Sequence, residues 1–321
     1  MQLILDAIAR RRDLIARLTA EGTDCFRLFH GRVEGWPGLT IDSYGPLVLV
    51  QSSKVELEAD TLAELKRLFE GRPLVYRHRH QGRSREIFHT AEAHQEFSVR
   101  ELGLEYVVRG QMSGLDPDLF LDLRAVRRAI HGLAPGQSVL NLFAYTCGLG
   151  LVAAAGGASS VWNVDFSGSA LELGARNFAR NGVTGEFVKE DCFPVLWQLA
   201  GQAVKGKAAR RRRFRKFEPR QFQLVMLDPP RRAVGPFGAV DLVRDYQSLF
   251  KPCLAICAQR GAILATNNVA AVGHEEFADL LDRCARKAGR PLSRLEWIAP
   301  DEDFPSADGL HPLKAVLCHP E

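Results

Sequence analysis

Five apolar runs in the second half of this chain end in residues that could do chemistry, and the residue types change from one run to the next. Val139 to Phe143 (VLNLF) leads into Ala144-Tyr145-Thr146-Cys147-Gly148-Leu149-Gly150, where small side chains let a ligand come close to the backbone. Val161 to Val164 ends at Asp165, followed by Phe166 and Ser167; a lone carboxylate there suits the two hydroxyls of a ribose. Glu186 to Lys189 ends at Glu190-Asp191, then Cys192 and Phe193. Asp191 can take the amino group of an adenine, with Phe193 or Phe166 covering its ring. Phe222 to Leu227 ends at Asp228-Pro229-Pro230, and Gly261 to Thr266 ends at Asn267-Asn268.

Each ending has a plainer reading. An Asp after a strand is often only the cap of the next helix, and Asp-Pro-Pro makes a rigid turn. Gly148-Leu149-Gly150-Leu151-Val152-Ala153 even fits the G-x-G-x-x-A dinucleotide fingerprint. A dinucleotide site, however, wants its first Gly at the end of the first strand, with pyrophosphate on the helix N-terminus. Here Ala144 to Cys147 intervene. The conjunction of endings fits a nucleoside carrying a sulfonium better than it fits a dinucleotide.

The elements that must hold these endings alternate. The five runs read as buried strands, and helical patterns lie between them, including Gly148 to Ala155 and residues 168 to 181. Alternation of this kind implies a parallel sheet with right-handed crossovers, and an open sheet binds ligands beyond the carboxyl ends of its strands. Leu295 to Ile298 and Ala315 to Cys318 are strand-like with no helix between them, which predicts an antiparallel hairpin at the C-terminal end. Residues 1 to 20 read as one amphipathic helix. Short strands with Gly and Pro turns follow, then a helix over 56 to 69 and more strands to Leu104-Val108. The expected organisation is a small α+β domain, 1–110, and an α/β domain, 111–321.

Composition is that of a globular chain: 321 residues, 46% hydrophobic and 25% charged. No apolar run approaches the roughly 20 residues that span a bilayer, and the N-terminal stretch lacks the h-region of a secretory signal. Seven scattered cysteines form no CxxC pair, which suits a reducing compartment, so a cytoplasmic location is expected. His78, His80, His89 and His94 lie among Arg77, Arg79, Arg83 and Arg85; no metal site is expected. Between Lys205 and Arg220 stand nine basic residues and one acid, Glu218, whereas the whole chain carries only +4. A mildly acidic body thus bears one cationic insertion, 205–220, with Phe214 and Phe217 interleaved. It reads as a solvated loop or as a contact for a nucleic-acid backbone, through Lys207, Arg210, Arg211, Arg212, Arg213, Arg215 and Lys216.

The sequence resembles the bacterial 23S ribosomal RNA methyltransferases that make 5-methylcytosine or 7-methylguanine. The resemblance is carried by Phe120-Leu121-Asp122-Leu123-Arg124, Leu140 to Thr146 (LNLFAYT), Val164-Asp165-Phe166-Ser167, Asp191-Cys192-Phe193 and Leu227-Asp228-Pro229-Pro230, and by Gly35 to Gly45 (GWPGLTIDSYG) further upstream. With about 25 residues before Phe26, a complete N-terminal PUA domain is not expected in this sequence. The resemblance implies a Rossmann-like class I methyltransferase sheet, S-adenosyl-L-methionine as cofactor, and RNA, ribosomal above all, as partner. It also implies that Phe120, Asp122 and Arg124 lie near the cofactor, and that Asn141, Phe143, Ala144, Asp165, Phe166, Ser167, Asp191, Cys192 and Asp228 line its pocket.

The fifth ending bears on the atom methylated. Carbon 5 of cytosine is a poor nucleophile and needs a cysteine thiolate added at carbon 6. In the similar cytosine enzymes that cysteine follows the fifth strand. Here Asn267-Asn268 stands there, and Cys253 and Cys257 precede the strand at helical spacing, as core residues would. A ring nitrogen such as guanine N7 needs no covalent help, and the site must only align the reactants and exclude water. Asp228, Pro229, Pro230, Asn267 and Asn268 are the candidate catalytic set; the 7-methylguanine branch of the resembling family also carries paired Asn here. Arg231-Arg232, in the place where adenine-N6 enzymes carry an aromatic residue, suit phosphate. The plain reading of Asn267-Asn268 is a turn and helix cap. A methyltransferase fold used only to bind RNA, and a methyltransferase for a substrate other than RNA, stay open alternatives. The sequence leaves the oligomeric state open, a homodimer included.

Overall fold

The computed structural model describes residues 1–80, 83–110, 117–204, 213–235 and 237–321. The chain divides into two units, Met1–Arg124 with Pro300–Gly309 and Ala125–Ala299 with Leu310–Glu321. Lys207, Arg210, Arg211 and Arg212 of the cationic insertion lie outside the described residues. Among the described residues no helix is long and apolar enough to cross a membrane.

The first unit opens with α1 (Gln2–Arg10) and α2 (Arg12–Ala20) rather than one helix. The break falls at Arg11, whose buried guanidinium bonds Glu34 and the Ala7 carbonyl. Then come β1 (Cys25–His30), β2 (Leu39–Tyr44), β3 (Leu47–Ser52), α3 (Ala59–Leu68), β4 (Leu74–His80) and β5 (Arg83–His89) in one sheet ordered β1-β2-β3-β4-β5. Only β3 and β4 run parallel, and α3 is the crossover such a pair requires. Ile4, Ala7, Phe29, Ile41, Val50, Leu65 and Tyr76 share the buried core of this unit. A separate hairpin joins β6 (Glu96–Glu101) to β7 (Leu104–Arg109). Its two turn residues, Leu102 and Gly103, both have positive φ, as a two-residue hairpin turn requires.

The second unit runs α4 (Arg124–Leu133, its first residue belonging to the first unit), β8 (Ser138–Leu142), α5 (Gly148–Ala155), β9 (Ser160–Asp165), α6 (Gly168–Arg180), β10 (Glu186–Lys189), α7 (Cys192–Leu199) and β11 (Phe222–Leu227). It continues with a hairpin, β12 (Arg232–Gly235) and β13 (Gly238–Asp241), then α8 (Gln247–Ile256), β14 (Cys257–Asn267), α9 (His274–Lys287), β15 (Leu292–Trp297) and β16 (Lys314–Pro320). Seven strands form one sheet in the order β10-β9-β8-β11-β14-β16-β15. The first five are parallel, and β16 is antiparallel to both β14 and β15. The terminal antiparallel pair is thus present, with the last strand inserted beside β14. The order reverses after β8, so the carboxyl ends of β8 and β11 flank the switch point. β14 begins four residues before Gly261, which makes Cys257 a strand residue and not a helical one.

Candidate functional site

The β8–α5 loop is built under backbone strain. Phe143, Tyr145 and Cys147 have φ of 57°, 49° and 62°, a region that costs a non-glycine residue about 1–2 kcal/mol. Three such residues in five persist only where the surroundings hold them, and strain of this kind gathers at ligand clamps. The surroundings are visible. The Ala144 N–H donates to the Val164 carbonyl at 3.0 Å, and the Tyr145 N–H donates to Asp165 Oδ2 at 2.9 Å. Cys147 is buried against Gly174 of α6, where an added Cβ would lie 2.4 Å from its Sγ. Gly150 has a comparable duty, because a Cβ there would sit 1.9 Å from Asn163 Oδ1. The apparent dinucleotide fingerprint is therefore in part a requirement for close helix–strand packing.

Asp165 ends β9 and is buried, with Oδ1 accepting from the Ser167 N–H at 2.8 Å as Oδ2 does from Tyr145. Burial pushes its carboxyl above the ordinary range, and the N–H groups of Ser167, Tyr145 and Phe166 pull it back down. Phe166 stands beside it, 56% exposed, a large ring left open to solvent. Ser167 caps α6 by accepting from the Ala170 N–H at 3.3 Å. Asp191 caps α7 through the Phe193 N–H at 3.0 Å, and its second oxygen accepts from the Phe237 N–H at 3.4 Å. Its carboxyl too is raised by burial and opposed by those N–H groups. Phe237, at the tip of the β12–β13 hairpin, meets Phe214 edge-on at 5.8 Å.

Asp228 is half-buried after β11, with Oδ1 accepting from the Thr266 hydroxyl, while Pro229 is buried and Pro230 exposed. Asn267 and Asn268 are separated by the structure. Asn267 is 1% exposed, and its Oδ1 accepts from the Val269 N–H at 2.9 Å. Asn268 is exposed at the turn. Other expected pocket residues have protein partners of their own. Asn141 is buried with Nδ2 donating to Asn163 Oδ1 at 3.0 Å, and Phe193 packs in the core 5.5 Å from Trp197. The buried Cys192 thiol points to the Val164 carbonyl at 3.9 Å, and burial pushes it well above the usual thiol range. Phe143 and Ala144 remain in the strained loop.

Phe120, Asp122 and Arg124 fall in the first unit. Arg124 is fully buried there, on Asp303 at 3.0 and 3.1 Å, on Asp301 at 3.1 Å and on the Cys25 carbonyl at 2.9 Å. Its guanidinium is thus held by carboxylates and a carbonyl of its own unit. Of the cationic insertion, Arg213, Arg215 and Lys216 are described and exposed. The Arg215 N–H is anchored to Glu190 at 2.7 Å, and Lys216 lies over Phe214 at 5.2 Å. Arg231 and Arg232 are exposed where the hairpin begins. Sequence reasoning missed Thr266, Phe237 and Lys314. Thr266 and Lys314 had a signal, each being a polar residue next to an apolar run, Ala262–Ala265 and Ala315–Cys318.

Every cysteine is buried. Cys257, the first residue of β14, and Cys253 before it are pushed up by burial, Cys257 to about 11. Among the described residues no group of three or more His, Cys, Asp or Glu is arranged to hold a metal ion.

Residues 26–319 match the protein family described as S-adenosylmethionine-dependent methyltransferase. The chain belongs to that family. A ribosomal RNA large subunit methyltransferase of Deinococcus radiodurans is 32% identical over 97% of this chain and 76% of its own length. Ribosomal RNA large subunit methyltransferase I of Aeromonas salmonicida is 26% identical over 89% and 71%. Among solved structures, the methyltransferase SMU.776 complexed with SAH superposes with a TM-score of 0.81 at 24% identity, covering 99% of this chain and 80% of the other. A SAM-dependent methyltransferase from Agrobacterium tumefaciens gives 0.68 at 19%, covering 94% and 91%. The chain is thus an S-adenosylmethionine-dependent methyltransferase of class I fold.

Proposed function

We propose that this methyltransferase acts on a base of RNA, ribosomal RNA of the large subunit, and at a ring nitrogen, guanine N7, rather than at cytosine C5. The RNA substrate is supported by the names of its relatives and by the basic residues flanking the site. The choice of atom rests on one observation: β14 ends at Asn267 and is followed by Asn268, with no thiol there, and every cysteine of the chain is buried. An enzyme that adds a thiolate to carbon 6 needs an accessible, low-pKa cysteine at that place.

The residues present fit the cofactor. Asp165 is a buried acceptor for ribose hydroxyls, Asp191 for an adenine amino group, and the open ring of Phe166 offers a face for the adenine. The cofactor brings a methyl group on a positively charged sulfur. Asp228, fixed by Thr266, and Asn268 at the turn after β14 would orient the base edge, which must leave its stack to arrive. Arg213, Arg215, Lys216, Arg231 and Arg232 would hold flanking phosphates. The enzyme works in the cytoplasm on this reading.

Purified protein incubated with S-adenosylmethionine and large-subunit RNA from cells lacking the gene should produce 7-methylguanine, read by nucleoside mass spectrometry. Production of 5-methylcytosine would overturn the choice of atom. Cofactor binding without any methylated nucleoside would overturn the RNA substrate.

A further inference from the structure

The geometry points to Lys314 as the positioning residue of the catalytic turn after β14. Lys314 opens β16 and pairs in register with Asn267, so the two side chains share a face of the sheet. They converge on one residue. Asn267 Oδ1 accepts from the Val269 N–H at 2.9 Å, and Lys314 Nζ donates to the Val269 carbonyl at 2.9 Å. Nζ also donates to the Pro312 carbonyl at 2.7 Å. Both backbone polar atoms of Val269 are thereby held by side chains, and Asn268, the residue between, is displayed to solvent.

The cost of this arrangement argues that it serves the site. Lys314 is 1% exposed, and no carboxylate lies within ion-pair distance among the described residues. An ammonium buried against neutral carbonyls gives up its hydration for hydrogen bonds that a smaller neutral donor could supply. Burial pulls its pKa below the usual lysine value. Asn267 Nδ2, buried at the same turn, has no partner among the described residues, and a buried donor left in that state adds to the cost. Arg124, by contrast, is buried among carboxylates, so this chain does neutralise a buried cation elsewhere.

This inference rests on the reading that Asn268 faces the target base. Lys314 touches neither base nor cofactor; it acts through the turn. The test is a double-mutant cycle on RNA methylation with Lys314→Met and Asn268→Ala, alongside cofactor affinity by calorimetry. Lys314→Met should lower kcat by about 10²-fold, the size expected when a reacting partner is misplaced by about 1 Å, with cofactor affinity unchanged. Asn268→Ala should do the same, and the double variant should be no worse than either, because both remove one function. Lys314→Gln, shorter but still a donor, should fall between wild type and Lys314→Met. Multiplicative losses in the double variant, or a loss of cofactor affinity with Lys314→Met, would overturn the role. So would wild-type kcat in Lys314→Met, even if that variant were less stable. A wild-type enzyme that binds cofactor but methylates no RNA would instead remove the reading beneath it.

Discussion

In the first unit Arg124 and Asp303 bury opposite charges against each other; in the second, buried Asp165 and half-buried Asp191 carry charge of one sign only. Asp303 is fully buried, takes two N–H groups of Arg124, and accepts a third from the Arg27 backbone. Asp165 and Asp191 have no cation within ion-pair distance among the described residues, and backbone N–H groups alone hold their oxygens. The first arrangement is closed, with each charge answered inside the protein. The second leaves acceptors whose charge is only partly answered, which is what a ligand rich in hydroxyl and amino groups can complete. A buried carboxylate is therefore informative according to what neutralises it, not merely according to its burial.

The largest effect that separates the two arrangements is on stability. Arg124→Met leaves Asp303 buried without the guanidinium that pairs with it and should cost about 3–5 kcal/mol of unfolding free energy, measured by urea denaturation. Cofactor affinity of the folded variant should be unchanged. A drop in that affinity would return Arg124 to the pocket where the family resemblance puts it.

Asp165→Asn should invert the pattern. Cofactor affinity should fall by about 10–100-fold, the worth of charge-assisted hydrogen bonds of about 1.5–3 kcal/mol, with a smaller change in stability than Arg124→Met. The pH dependence sharpens it. Burial raises the folded-state value of Asp165, so its protonation stabilises the cofactor-free protein. That contribution is complete below the unfolded value of about 3.9 and is lost as pH rises through the folded value. Cofactor affinity should run the other way, weakening in wild type as pH falls through the raised value. In Asp165→Asn this dependence should be flattened, as calorimetry across that range would show. The smallest effect belongs to Phe166→Ala, where loss of one stacking face should weaken the cofactor by about 1 kcal/mol.

The class of fold was legible because strand and helix periods alternate cleanly from Val139 onward, and the residues after the strands carried the cofactor with them. What was not legible shares a physical cause. Asn267 and Asn268 look equivalent in sequence, yet one side chain caps the turn and the other faces solvent, a difference set by the register of β14 against β16. The cross-strand bond from Asn141 to Asn163 has no signature in the sequence, because it depends on the register of β8 against β9. The strained φ angles of Phe143, Tyr145 and Cys147 carry no compositional mark, since glycine, the usual sign, is absent from those positions. The break at Arg11 could not be read from a helical period that continues through it.

The ten residues Pro300–Gly309, which belong to the first unit, are made after nearly all of the second. Asp301 and Asp303, the carboxylates that answer Arg124, emerge from the ribosome some 180 residues after it. The usual order of synthesis, in which an N-terminal domain folds before its successor appears, cannot complete this first unit. Its keystone charge pair waits for the closing stretch of translation, so the whole polypeptide commits to its native state late, and nearly at once.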